Sequence, residues 1–151
     1  MKSEKPRKVH FDLPQDEGGY PPATSEFLWC TPTSQGTYMV DNVPFFIRNI
    51  ALGDEIRANK TSRVLKFTGI VSPSRNSTLR VMLMKSTVLG RVQEKLDGFG
   101  CGYELLQRLK LLAVTVPPKA DAKRLLQFLD QEAETGNIGI EESAPRYALK
   151  E

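Results

Sequence analysis

The amino-acid sequence predicts an α+β protein, in which a small N-terminal antiparallel β-barrel-like subdomain is followed by a ferredoxin-like βαββαβ subdomain. Two observations support this prediction. Strand-like runs recur at intervals of roughly 8 to 12 residues up to residue 72, which is the spacing of a small antiparallel barrel. Residues 77–142 then show the order strand, helix, strand, strand, helix, strand, which is the split βαβ arrangement. The length of 151 residues suits one domain or two small subdomains.

Residues 1–8 are polar and basic and contain too little apolar surface to offset the entropy of ordering, so they predict a disordered basic tail. The β-rich subdomain follows at residues 9–72. Its first strand is indicated by Val9, Phe11 and Leu13, which alternate with other residues at the period of a strand with one buried face. The later apolar runs, separated by turn-forming residues, are 26–32, 37–40, 43–47, 55–58 and 64–71.

The ferredoxin-like subdomain is predicted over residues 77–142, and residues 143–151 are predicted to form a polar tail. The first strand is indicated by Leu79 and Val81. Because side chains alternate along a strand, Arg80 should point to the opposite face of the sheet. The remaining strand patterns lie at 103–107, 111–116 and 138–142.

Two stretches of this subdomain show apolar residues at helical spacing. The first follows Ser86 or Thr87 as a candidate N-cap, and the second follows Asp121. Their apolar stripes should cover one face of a four-stranded antiparallel sheet and leave the other face to the barrel or a partner. The stripe residues are Val88, Leu89, Val92 and Leu96 in the first helix and Ala122, Leu125, Leu126, Leu129 and Ala133 in the second.

Charge is distributed unevenly along the chain. The formal net charge of +3 is carried by residues 1–8, and the rest of the chain has 17 basic and 17 acidic side chains. Residues 9–55 hold one basic and seven acidic residues, a net charge of −6, whereas residues 56–93 hold eight basic residues and no acidic one, a net charge of +8. The second segment predicts a basic face for an acidic partner or nucleic acid. Its candidate binding residues are Arg57, Arg63, Arg75 and Arg80.

The alternative is a mixed surface, in which these side chains are solvated beside acidic neighbours.

Composition also excludes some classes of protein. No stretch approaches the roughly 18 consecutive apolar residues of a membrane-spanning helix, and no signal-peptide pattern follows the basic N-terminus. Cys30 and Cys101 are too few for a disulfide framework and fit a reduced compartment, so we expect a cytoplasmic protein.

Catalytic chemistry has little support in the sequence, and we predict that the protein is not an enzyme. The single histidine, His10, excludes sites that need two imidazoles. It is also the only ordinary base for a nucleophilic Cys30 or Cys101, and nothing in their spacing brings these residues together. Gly98 and Gly100 follow a helix, whereas a dinucleotide-binding loop follows a strand. No cofactor or metal site is predicted.

Six sequence blocks, spread over most of residues 8–142, resemble in order and spacing an uncharacterised bacterial family, domain of unknown function 4265. The family supplies no catalytic residues. The resemblance implies a small bacterial cytoplasmic protein, and similar small proteins can serve as immunity or accessory partners of secreted toxins. The blocks are GYPP at 19–22, SEFLWCTP at 25–32, DNVPFF at 41–46, ALGDEI at 51–56, NSTLRV at 76–81 and GFGCGYE at 98–104.

Three hypotheses about function follow. The first is a non-enzymatic binding module, an immunity-type or accessory protein that binds a protein partner such as a toxin through its charged faces. The second is a nucleic-acid accessory protein that uses the basic segment 57–91, with a sensor of a small ligand as a further alternative. The third is an enzyme based on Cys101 or His10, which would require an unusually low thiol pKa because the thiolate is the reactive form.

Overall fold

A computed structural model describes residues 5–149 and shows a mixed α+β fold made mostly of strands. The chain divides into two compact units, the barrel unit up to Ser74 and the sheet unit from Arg75 onward. The barrel unit contains a closed five-stranded barrel, and the sheet unit contains a four-stranded sheet with two helices. No helix among the described residues is long and apolar enough to cross a membrane.

The barrel is built from strands that follow one another along the chain. They are β1 (Arg7–Asp12), β2 (Ser25–Pro32), β3 (Tyr38–Val40), β4 (Glu55–Thr61) and β5 (Val64–Ser72). Each strand pairs antiparallel with the next. A parallel pairing of β1 with β5, in which Val9 lies opposite Leu65, closes the barrel.

Alternating side chains fill the interior of this barrel. Along β2, Leu28 and Cys30 are buried, whereas Phe27 and Trp29 are exposed. The same period of two on β1 buries the apolar residues that predicted this strand. The buried cluster comprises Val9, Phe11, Leu28, Cys30, Val40, Ile50, Ile56 and Leu65.

The segment between β3 and β4 packs on the barrel without forming a strand. The Glu26 carboxylate accepts hydrogen bonds from three successive backbone N–H groups, those of residues 45–47, at 2.7, 3.1 and 2.9 Å. The buried carboxylate of Asp54 accepts the N–H of Ala51 at 3.0 Å. These bonds satisfy backbone donors that no strand ladder pairs, so the segment can bury Ile50 in the barrel core.

The sheet unit contains four strands and two helices. They are β6 (Ser77–Leu83), α1 (Leu89–Gly98), β7 (Gly102–Leu106), β8 (Leu111–Val116), α2 (Ala122–Glu134) and β9 (Ile138–Ala144). The strand order is β7-β8-β6-β9, and all neighbours are antiparallel. Strand β6 is therefore an inner strand, with Leu79 opposite Val114 of β8 and Glu142 of β9.

The apolar stripes of both helices are buried against this sheet, as their spacing predicts. Val92 and Leu96 of α1 and Leu125 and Leu129 of α2 are fully buried, and Leu126 packs against the same cluster while remaining partly exposed. Each such side chain contributes about 1.5 to 3 kcal/mol of hydrophobic stabilisation. The sheet residues in the cluster are Leu79, Val81, Leu83, Leu112, Val114 and Val116.

Only one of the two predicted helix caps is correct. The Oδ1 atom of Asp121 accepts the N–H of Arg124 at 3.1 Å, which caps α2. The prediction for α1 is wrong, because Ser86 and Thr87 lie in a 3₁₀ turn and Val88 precedes the helix without a side-chain cap. Val88, which directly precedes the helix, is instead buried in the core of the unit.

The N-terminal strand begins earlier than predicted. Strand β1 starts at Arg7, so the last two residues of the predicted basic tail pair with β2, with Lys8 opposite Trp29. Residues 1–4 of that tail lie outside the described residues.

The C-terminal strand ends later than predicted. Ser143 and Ala144 belong to β9 and are buried, and a 3₁₀ turn follows at Arg146–Leu149. The prediction of a polar tail is therefore wrong for residues 143–149, and residues 150–151 lie outside the described residues. Local polarity does not reveal pairing with a distant strand, here that of Ala144 with Thr78.

Candidate functional site

One of the four arginines predicted to form a basic face is not accessible. Arg80 is 1% exposed. Its Nε donates to Glu141 Oε1 at 2.8 Å, and its Nη2 donates to Ser143 Oγ at 2.9 Å. Alternation along β6 predicts the face to which Arg80 points, but it does not predict that this position is buried, as it is in the structure. The assignment of Arg80 to an accessible basic face is therefore wrong.

The other three predicted arginines are exposed. Arg57 lies on β4 and Arg63 lies in the turn between β4 and β5, both in the barrel unit. Arg75 is the first residue of the sheet unit. The segment 57–91 thus contributes residues to both units, and its charge does not belong to one element of the fold.

The two cysteines have the properties of core residues. Burial, with a smaller contribution from the negative charge of Asp41, raises the pKa of Cys30 to about 12. Burial raises the pKa of Cys101 to about 11. Both thiols therefore remain protonated at neutral pH, which is the opposite of what a nucleophilic cysteine needs. Cys30 also faces the barrel interior, whereas His10 lies beside the outward ring of Phe27, so these two side chains do not meet.

The barrel displays two aromatic rings on its outer surface. Phe27 is 43% exposed and Trp29 is 42% exposed, although both lie on a central part of β2. On the neighbouring strand, His10 pairs with Phe27 and Lys8 pairs with Trp29. We call these four residues, Lys8, His10, Phe27 and Trp29, the aromatic face.

Ring and cation contacts hold the side chains of the aromatic face together. The rings of Phe27 and Trp29 meet edge to face at 90°, with 6.1 Å between their centroids. The Nζ atom of Lys8 lies 4.4 Å from the centroid of Phe27 and 5.5 Å from that of Trp29. His10 lies 5.9 Å from Phe27, centroid to centroid. Cation–π contacts of this kind contribute about 0.5 to 1 kcal/mol at exposed positions, so the lysine is partly ordered on the rings.

A shallow, open depression of about 420 Å³ adjoins the aromatic face beside Trp29. Its lining includes Lys5, Pro6 and Asp41. Both backbone polar groups of Trp29 are hydrogen-bonded, because its N–H donates to Asn42 Oδ1 at 2.7 Å and its carbonyl accepts the N–H of Asp41 at 2.9 Å. The indole is therefore presented from a rigid strand.

The sequence indicates the strand that carries the aromatic face, but its pattern does not show which side chains point outward. Phe27, Leu28, Trp29 and Cys30 are all apolar, so the period of two fits a strand but does not say which pair is buried. The barrel interior takes the smaller pair, Leu28 and Cys30, and the larger rings are left outside. Outward-pointing Lys8 and His10 opposite the rings become recognisable only once the register of β1 and β2 is known.

No group of three or more His, Cys, Asp or Glu side chains that could hold a metal ion occurs within residues 5–149.

Chemically, the aromatic face offers apolar ring surface, one ammonium group and one imidazole. These groups suit recognition of another molecule.

The barrel, the sheet with its two helices and the aromatic face together define a two-unit α+β protein. The sequence profile described as "Domain of unknown function (DUF4265)" matches residues 26–140, and the chain belongs to this family. The matched region contains Phe27 and Trp29 but begins after β1.

The fold is similar to that of a hypothetical protein from Neisseria gonorrhoeae whose crystal structure has been solved and described as novel. The two chains share 17% sequence identity, the alignment covers 95% of each, and the TM-score is 0.77. At this identity the similarity shows the fold alone. No curated protein matches the chain.

Proposed function

We propose that this protein is a non-enzymatic binding module that docks a protein partner through the aromatic face of its barrel. The observation that carries the proposal is the exposure of Phe27 and Trp29, two large rings on a rigid strand, at more than two-fifths of their surface each. Aromatic residues are enriched at protein interfaces, and tryptophan is among the residue types that most often dominate the binding energy.

Preorganisation of the face supports this proposal. Both rings project from a strand that is paired on two sides, with β1 and β3. Lys8 is already placed over the rings. A partner that binds here immobilises few side chains, so less of the interaction energy is lost to ordering. Met39 of β3 is also exposed. It lies opposite Thr31, which follows Trp29 by two residues on β2, so Met39 extends the apolar surface.

The chemistry of the cysteines supports a role other than nucleophilic catalysis. A thiol with a pKa of about 11 or 12 is almost fully protonated at neutral pH. An immunity-type or accessory role in the bacterial cytoplasm, opposite a toxin, is the specific form of binding that we propose.

For the sheet unit, we propose the ferredoxin-like class. Three features support the assignment: the element order, the antiparallel strand order β7-β8-β6-β9, and the burial of both helices against the residues of one sheet face. The inner strands of this class are the first and third in chain order, which here are β6 and β8.

The second candidate, a nucleic-acid accessory protein, draws support from the exposure of Arg57, Arg63 and Arg75. It loses Arg80, which is paired with Glu141. Binding through the remaining arginines would weaken steeply with salt, because each phosphate contact releases counterions. It would also survive removal of the aromatic rings, which separates it from the first candidate.

Affinity capture from a native lysate, quantified by mass spectrometry, tests the proposed function. The wild-type protein is compared with the double variant Phe27→Ser/Trp29→Ser and with a matched control, Met84→Ser. Met84 is an exposed hydrophobic residue of the sheet unit, 61% accessible. We expect one stoichiometric protein to be recovered with the wild type and the control and to be lost with the double variant, because interface hot spots contribute about 2 kcal/mol or more each.

Equal recovery of that protein by the double variant would show that the aromatic face is not the docking surface. Absence of any stoichiometric protein, together with a bound metabolite in native mass spectrometry, would replace the proposal with ligand sensing. Circular dichroism of each variant verifies that the outward substitutions leave the fold intact.

A further inference from the structure

The aromatic face lies in a positively charged neighbourhood. Lys8 is exposed on this face, and the exposed Lys5 lines the depression beside Trp29. Within residues 5–149, the contacts of Lys8 are with the rings of Phe27 and Trp29, and no carboxylate pairs with it. An ammonium group that rests on rings keeps donors for an anion, since the rings contact only one side of it.

Three acidic residues that lie on the neighbouring strands, or directly after one, form contacts of their own. The carboxylate of Glu26 accepts three backbone N–H groups of the segment after β3. Asp12 forms an ion pair with Lys66 at 3.4 Å. Asp41 accepts the hydroxyl of Thr31 through Oδ2. Glu26 is therefore held by backbone donors and Asp12 has a cationic partner, whereas Asp41 stays exposed beside Trp29 and keeps its charge. Lys5 and Lys8 outweigh this one carboxylate, so the net exposed charge of the face is positive.

The ring geometry favours a protein over a single-stranded nucleic acid. Successive bases of a single strand stack on the faces of aromatic side chains. Here the two rings are perpendicular, and Lys8 lies over Phe27, the ring to which it is closer. This arrangement offers no continuous stacking platform. Aromatic side chains of a protein have no requirement for parallel rings, because edge-to-face contacts between rings are favourable.

We infer that the partner presents an acidic segment that also carries an apolar or aromatic side chain. A carboxylate of this segment pairs with Lys8, and the apolar side chain enters the depression beside Trp29. Charge complementarity then selects acidic partners and speeds their encounter. This inference rests on the proposed function, since it names the chemistry of the partner that binds the same face.

Selection of peptides from a randomised display library tests the inference. The wild-type protein is the bait, and Phe27→Ser/Trp29→Ser is used to remove peptides that bind elsewhere. Selected peptides are then titrated, and binding is followed by the emission of Trp29, which is the only tryptophan in the chain. We expect enriched peptides to place Asp or Glu next to an aromatic or aliphatic residue.

Charge variants provide the second readout. Lys8→Glu should weaken the selected peptides by about tenfold or more, Lys8→Arg should retain binding, and binding should weaken as salt is added. The control Lys119→Glu changes an exposed lysine of the sheet unit and should have no effect. Neutral or basic selected peptides, or unchanged binding by Lys8→Glu, would overturn the inference while leaving docking through the rings intact.

A short oligothymidylate is titrated in parallel. Tighter binding of this oligonucleotide than of any selected peptide, with quenching of Trp29, would overturn the inference in favour of nucleic acid. Failure to select any peptide that depends on Phe27 and Trp29 would also overturn it. Failure of the proposed function itself is recognised separately, by capture of the same protein with and without the rings.

Discussion

At the scale of single residues, the difference between Arg80 and Arg57 shows how position in the sheet decides the role of a charge. Both are strand residues within the basic segment. Arg57 lies on the barrel surface, whereas Arg80 lies on an inner strand and pairs with Glu141 and Ser143. A count of charges along the sequence treats the two arginines alike. Their burial differs because it depends on the position of each strand in the fold, which composition does not give.

Arg80→Ala should lower the free energy of unfolding by about 3 kcal/mol, because it removes the hydrogen bonds that Arg80 donates to the Glu141 carboxylate and the buried Ser143 hydroxyl. Arg57→Ala, the exposed control, should change it by less than about 0.5 kcal/mol. Urea denaturation followed by circular dichroism measures both values. Equal stability of the two variants would show that the Arg80 pair is energetically unimportant.

At the scale of elements, a bidentate ion pair links the two helices, in addition to their apolar contact with the sheet. Arg91 of α1 donates to both oxygens of Glu132 of α2, each at 2.8 Å. Asn137 donates to the same carboxylate at 2.7 Å. Hydrogen bonds from Arg91, and then from Asn137, lower the pKa of Glu132 to about 2.

The ion pair between Arg91 and Glu132 predicts a pH dependence of stability. A carboxyl group whose folded-state pKa is lowered stabilises the protein above its unfolded-state pKa, and that contribution is lost as pH falls from about 4.5 through about 2. Glu132→Gln should therefore be less stable than the wild type by about 1 to 2 kcal/mol at pH 7, a value reduced for the solvent exposure of Arg91. The difference should shrink as pH approaches 2.

Urea midpoints of the wild type and Glu132→Gln, measured from pH 7 down to 2, provide the comparison. Glu134→Gln, an exposed position of the same helix, is the matched control. A difference between wild type and Glu132→Gln that stays constant over this range would mean that the ionised carboxylate is not what joins the helices.

At the scale of the whole molecule, the sequence predicts the two subdomains better than it predicts the candidate site. Periods of two and 3.6 identify most strands and both helices because most of these elements bury one face. Those periods do not identify Lys8 and Trp29 as neighbours, since their contact depends on the register between β1 and β2. Register and strand order are tertiary properties, and the aromatic face depends on both.

The same limit explains the errors at the ends of the chain. Arg7, Lys8 and Ser143 are polar and predict tails, but each lies in a strand that a distant strand completes. Asp121, in contrast, is predicted correctly as a cap, because its hydrogen bond to the N–H of Arg124 spans only three residues. Interactions that are local in sequence are predictable from sequence, and those between distant segments require the fold.

The packing of helices on the sheet gives the final prediction, because it is the contact that makes the second half of the chain one unit. Val114 is a fully buried residue of β8, and Leu126 of α2 packs against the same apolar cluster. Val114→Ala should cost about 1 to 3 kcal/mol, since it opens space among fully buried side chains. Leu126→Ala should cost less than a fully buried leucine would, because the side chain is partly exposed.

A double-mutant cycle decides whether the two side chains stabilise each other. Residues that share a packed cluster couple by about 0.5 kcal/mol or more, whereas independent sites add. We therefore expect the double variant Val114→Ala/Leu126→Ala to be more stable than the sum of the single changes predicts. Val114 with Leu28, a residue of the barrel cluster, is the reference pair, because the two belong to different clusters. Additive behaviour of Val114 with Leu126 would show that these two side chains do not stabilise each other directly.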